Sequence, residues 1–161
     1  MAEPMRALSI KPPWIGAIVY SDKRVENRSW SAPDWIIGRT IALAASKAPD
    51  WDAPDMAWTA AGLTPYEPGA PRKAWTASLT LGAVIAVAKV AGCHYATSCP
   101  HSEPGAPWPL CTRWSARDQF HWQLSDVRPL PEPVPCKGAL GLWRLPEDVE
   151  KLVREQVEEK P

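Results

Sequence analysis

ALSIKPPWIGAIVYSDKRVENRSW, residues 7–30, is the stretch on which the fold reading turns. Ala7 and Ser9 alternate with Leu8 and Ile10, the period of a short strand. Pro12 and Pro13 suit a helix entry, where a missing N–H costs nothing, and Trp14, Ile15, Ile18 and Val19 then recur at helical spacing. That helix is predicted to end near Ser21-Asp22. From Arg24 to Trp30 the period returns to two, with Val25, Asn27 and Ser29 set against Glu26, Arg28 and Trp30. The reading therefore places Glu26 and Arg28 on one strand face, with Lys23 just before them.

Working outward, GRTIALAASK (38–47) reads as the next strand and DAPDMAWTAAGL (52–63) as a short helix with Pro54 in its first turn. SLTLGAVIAVAKVAGC (78–93) is a buried strand, QFHWQLSDVRPL (119–130) an alternating one, and VPCKGALGLWRL (134–145) a last strand bent by glycines. Near 146–159 acidic residues fill a first helical turn. Val149, Leu152, Val153 and Val157 make one stripe there, and Glu150 stands four residues before Arg154. About five strands with few helices predict a small α+β barrel.

A length of 161 residues predicts one domain, 1–161, able to bury a core without staples. Nine of the 19 prolines fall within 49–72 and 92–115, which predicts two long Pro-rich loops there. No apolar run reaches spanning length, and MAEPMRAL lacks the basic start and apolar block of a secretory signal, so a cytoplasmic protein without a membrane partner is expected. In that compartment Cys93, Cys99, Cys111 and Cys136 would be reduced thiols. Net charge is zero, but residues 1–47 hold seven Lys/Arg against four Asp/Glu, and residues 147–160 hold three against six. That excess is too small for a dedicated nucleic-acid domain and large enough for a local basic groove.

LSIKPPWIGAIVYSDKRVENRSW together with HWQLSDVRPLPEPVPCKGALGLW resembles the ASCH domain, a member of the PUA-like superfamily of small β-barrels. The first part is similar to the family's strand, Pro-Trp helix and Gly-x-Lys-x-x-Glu-x-Arg run, the second to its closing strands. The resemblance implies a PUA-like β-barrel of five to six strands with flanking helices and a C-terminal helix. It also implies binding of RNA or DNA, in some relatives with recognition of a modified base. One bacterial branch is an amidohydrolase that deacetylates 4-acetylcytidine with a lysine, a threonine and a glutamate. Lys23 falls on the family lysine, but Glu26 stands where that branch has its threonine, Ser21-Asp22 replaces the glycine, and the distal glutamate has no counterpart.

Read for their chemistry, the same residues suit one unpaired nucleotide. A Glu26 carboxylate accepts from an exocyclic amine, Arg28 and Lys23 hold phosphate or a base carbonyl, and Trp14 or Trp30 offers a stacking face. The expected groove comprises Lys11, Trp14, Lys23, Glu26, Arg28, Trp30, Ser46 and Lys47, and its expected ligand is RNA, single-stranded nucleic acid or a modified nucleoside. In a hydrolase of modified cytidine or a ribonuclease, Lys23 and Glu26 would be the catalytic pair. A protein-interaction adaptor is the third possibility, and against it a charged rim of Glu26 with Arg28 or Lys47 needs no ligand at all. His94, His101 and His121 stand as isolated histidines. Cys93, His94, Cys99, His101 and Cys111 offer zinc ligands, but their spacing departs from the usual Cys-x2–4-Cys pairs, so no metal and no cofactor are expected.

Overall fold

The computed structural model describes residues 3–158. The protein is α+β, with strands β1 (Arg6–Ile10), β2 (Val25–Arg28), β3 (Thr40–Ala45), β4 (Ala83–Tyr95), β5 (Phe120–Pro135) and β6 (Leu142–Arg144). The helices are α1 (Trp14–Tyr20), α2 (Asp55–Ala60), α3 (Arg72–Thr76) and α4 (Glu147–Glu158), with single 3-10 turns at Asp34–Ile36 and Ala96–Ser98. The strands form one six-stranded sheet in the order β2-β5-β4-β3-β1-β6, consistent with a small PUA-like barrel. No helix among the described residues is long and apolar enough to cross a membrane.

The chain divides into two compact units, and β4 and β5 run through both. Unit one comprises the N-terminal segment up to Asp22, Ile41–Val87 and the segment from Arg128 onward. Here β1 pairs in parallel with β3, Ala7 opposite Ala42 and Ile10 opposite Ala45, and antiparallel with β6, Ala7 opposite Trp143. A parallel pair needs a crossover, which is why α1 and β2 intervene between β1 and β3 in the chain. Ile41–Ala45 is buried throughout, the mark of a strand covered on both faces. Met5, Ala42, Val84, Val87, Leu130, Trp143 and Leu145 form a core that α4 closes with Val149 and Val153.

The α4 stripe is narrower than predicted. Val149, Val153 and Val157 lie at i, i+4, i+8 against the core, while Leu152, one position off that row, is 49% exposed. Arg154 pairs with Glu150 at 2.7 Å, as the spacing predicted, and position 159 of the predicted helix lies outside the described residues. Two strand predictions also shift. β5 continues to Pro135 because its prolines stand at 129, 131, 133 and 135, so that every missing N–H falls on one edge of the strand. The N–H of Glu132, between two of them, still donates to Gln156 Oε1 at 2.9 Å. The last strand is only Leu142–Arg144, because Gly141 turns the chain at φ 69° just before it.

Packing of α1 on α2 depends on Gly16, whose place a Cβ would occupy 2.6 Å from Ala61 Cβ and 3.2 Å from Ala61 Cα. Helix propensity alone would make Gly16→Ala stabilising by about 0.5–1 kcal/mol. The close approach reverses the sign, since overpacking costs about 1–3 kcal/mol, and a lowered urea midpoint at unchanged slope is the expected result.

Unit two comprises Lys23–Thr40 and Ala88–Val127. β2 pairs antiparallel with β5, Val25 opposite Gln123, Glu26 opposite Trp122, Asn27 opposite His121 and Arg28 opposite Phe120. The second half of β4 is bridged to the segment after the Asp34–Ile36 turn, where Gly38 N–H donates to Val90 O at 2.7 Å and Val90 N–H to Arg39 O at 3.0 Å. Between β4 and β5 lies the long connection 96–119, whose ends meet where Ala96 N–H donates to Gln119 O at 2.9 Å.

Candidate functional site

The eight residues expected to form a groove fall into the two units. In unit one, Trp14 donates its indole N–H to Asp50 Oδ2 at 2.7 Å, and the Asp50 backbone N–H is held by Pro12 O at 2.7 Å. Ser46 follows β3, its N–H donating to Ile10 O at 3.0 Å and its hydroxyl accepting from Ala48 N–H at 3.3 Å. Lys11 and Lys47 are exposed, and the Lys47 stem lies over Gly82, where a Cβ would fall 2.8 Å from Lys47 Cε. A cavity of about 220 Å³ in this unit is lined by Pro12, Ile15, Tyr20, Leu79, Ile85 and Pro131 among others, with no lysine, arginine or carboxylate. The ionic chemistry lies elsewhere.

The charged residues of the expected groove that meet one another are in unit two. Lys23, only 1% exposed, donates its ammonium to Val25 O at 2.6 Å and to Glu26 Oε2 at 3.0 Å. Arg28 Nε stands 3.4 Å from the other Glu26 oxygen. Glu26 itself is 8% exposed. Strand alternation placed Glu26 and Arg28 on one face and they do meet, but as a buried cluster and not as a solvated rim. The cluster carries one net positive charge, and its carboxylate is fixed between two cations. Trp30, two residues beyond β2, packs edge-on against Trp122 with centroids 4.7 Å apart, and Trp122 N–H donates to Trp30 O at 3.1 Å.

Successive residues of a strand face opposite ways, so the positions flanking Glu26 and Trp122 belong to the other face of the β2–β5 ribbon. There Asn27 ties down the loop before β5, its amide donating to Trp114 O at 2.8 Å and accepting from Ala116 N–H at 2.8 Å. Opposite it, His121 is fully buried, with Nε2 bonded to Ala116 O at 2.7 Å. His121 Nδ1 lies 3.1 Å from His94 Nε2, 3.5 Å from Cys99 Sγ and 3.5 Å from Cys111 Sγ. His94 Nε2 lies 3.4 Å from each sulfur. Burial first, then the neighbouring His121 and His101, holds the His94 imidazole below its ordinary pKa, and burial pushes the pKa of the Cys99 thiol up, reinforced by its hydrogen bond with the Cys111 thiol.

Sequence reasoning grouped Cys93, His94, Cys99, His101 and Cys111. The structure brings three of these together and replaces the other two by His121. Cys93 Sγ instead accepts from Ala32 N–H at 3.5 Å, and His101 is exposed. Asn27 and Ser115, whose hydroxyl lies 3.1 Å from Cys111 Sγ, were also missed. The signal available was topological. Two strands joined by a long loop bring the end of one beside the start of the next, and a histidine stands near each of those ends.

A family model described as the ASCH domain matches residues 8–133, more than half of the chain. No curated protein matches it.

Proposed function

The chain belongs to the ASCH domain family, and on that premise we propose that it binds single-stranded nucleic acid, RNA foremost, or a nucleotide, at the Lys23–Glu26–Arg28 cluster. The observation that carries this reading is the burial of the cluster. Taking the Lys23 and Glu26 charges out of water costs several kcal/mol per ion, and apolar residues of the same volume serve stability as well or better. A retained buried carboxylate clamped by two cations is instead suited to reading a base edge, since a fixed acceptor discriminates an exocyclic amine from a carbonyl. Lys23 is then a positioning residue. Glu26 and the partly exposed Arg28 make the contacts.

The hydrolase reading uses the same pair, and Lys23 lies within bonding distance of Glu26 as a catalytic pair would. Its ammonium is nevertheless turned toward two acceptors, whereas a general base needs a free lone pair. Binding is therefore preferred over catalysis.

Titrating mixed RNA and DNA 10-mers by anisotropy at rising salt tests the proposal. With two to four phosphates contacted, log affinity should fall against log salt with a slope of roughly −1.5 to −3, and Arg28→Ala should flatten it by about 0.7 for the lost contact. Glu26→Gln should change base preference by about 1–3 kcal/mol, because an amide donates where the carboxylate only accepts. Salt-independent affinity, or none for any pool, would favour a protein-interaction adaptor. Turnover of 4-acetylcytidine or RNA by wild type that Lys23→Ala abolishes would move the protein to the hydrolases.

A further inference from the structure

We propose that His94, Cys99, Cys111 and His121 bind one zinc ion in a closed tetrahedral site that fastens the 96–119 connection to the ends of β4 and β5. All four donor atoms lie within 4.8 Å of one another. With Zn–S about 2.3 Å and Zn–N about 2.0–2.1 Å, a regular tetrahedron has N···S edges near ~3.5 Å and an N···N edge near ~3.3 Å. The four N···S separations here are 3.4, 3.4, 3.5 and 3.5 Å and the N···N separation is 3.1 Å.

Hydrogen bonding alone does not account for that evenness. Each thiol has one proton and aims it at one acceptor, so a hydrogen-bonded cluster pairs its members unequally. Here each nitrogen is equally distant from both sulfurs, the pattern a central cation imposes. His121 is also committed in the way a ligand must be. Its Nε2–H donates to Ala116 O at 2.7 Å, which leaves the Nδ1 lone pair toward the centre, and such an outer carbonyl is the usual orienting partner of a metal-bound imidazole. Ser115 Oγ, 3.1 Å from Cys111 Sγ, is placed to donate to a thiolate.

Two thiolates and two imidazoles in tetrahedral array select zinc over calcium, magnesium or manganese, which prefer oxygen. Four protein ligands leave no open position, so the site is structural and not a generator of hydroxide. Loading converts two thiols to thiolates and releases their protons to solvent. Two ligands come from strand ends and two from the connection, which is longer than loops usually are without support of their own. Asn27, bonded to Trp114 and Ala116, carries that order to the strand bearing Glu26 and Arg28.

Protein purified without chelator should carry about one zinc per chain by native mass spectrometry and elemental analysis. Cys99→Ser and Cys111→Ser should each lose it, while Cys93→Ser and Cys136→Ser keep it. Should the ligand variants fail to fold, the wild type decides: stripped of metal and titrated with cobalt(II), it should develop the intense visible absorption of tetrahedral thiolate–cobalt at one equivalent. Wild type that is metal-free as purified and binds neither zinc nor cobalt overturns the proposal, as does zinc retained by Cys99→Ser and lost by Cys93→Ser.

Discussion

Lys23→Met should destabilise the protein by about 3–5 kcal/mol, the usual cost of removing one partner from a buried ion pair and leaving the other charge behind. Glu26 would keep only Arg28, at 3.4 Å, in a setting where it is itself 8% exposed. The double variant Lys23→Met/Glu26→Leu should recover most of that loss, because a buried pair replaced by apolar residues of similar volume is often neutral or stabilising. Its RNA affinity should nevertheless be gone, since the base-reading carboxylate is absent. Urea unfolding and RNA anisotropy on wild type, single and double variants measure both. A double variant as unstable as the single one would show that the charges serve the fold. A stable double variant with unchanged affinity would remove the cluster from the binding site.

The first thirty residues were legible because their punctuation is local. Pro12 and Pro13 mark the start of α1, and the change of period after Ser21 marks β2, so the sequence alone sets Glu26 and Arg28 on one face. Burial of Lys23 was not legible. A lysine three residues from a glutamate looks the same whether the pair is solvated or enclosed, and only the packing of unit two decides it. The extent of β5 was hidden by four prolines, which argue against a strand unless their spacing of two is recognised as sparing one edge. His121 was hidden for a further reason. Its ligand partners lie 10 to 27 residues away in sequence, and their convergence depends on the pairing of β4 with β5 and on the path of the 96–119 connection, neither of which a spacing rule for zinc motifs encodes.

Trp122→Ala should cost about 3–5 kcal/mol, the range for deleting a buried large aromatic side chain. Trp122 is 0% exposed, stands opposite Glu26 in the β2–β5 register, and meets Trp30 edge-on at 4.7 Å. The loss combines transfer of the side chain from water, a cavity that neighbouring strands cannot collapse into, and the bond to Trp30 O at 3.1 Å. Trp122→Phe separates these contributions, keeping an aromatic ring while removing the N–H, and should cost less, about 1–3 kcal/mol from the unsatisfied Trp30 carbonyl and the smaller ring. Because His121 faces the other side of the ribbon, folded Trp122→Phe should still carry zinc while binding RNA more weakly, since Trp122 stands opposite Glu26 in the β2–β5 register. Denaturant midpoints, zinc content and RNA affinity measured on the same preparation distinguish the two faces. Loss of zinc with intact RNA binding would mean that the faces had been assigned the wrong way round, and a midpoint unmoved by Trp122→Ala would mean that the indole is not part of the core of unit two.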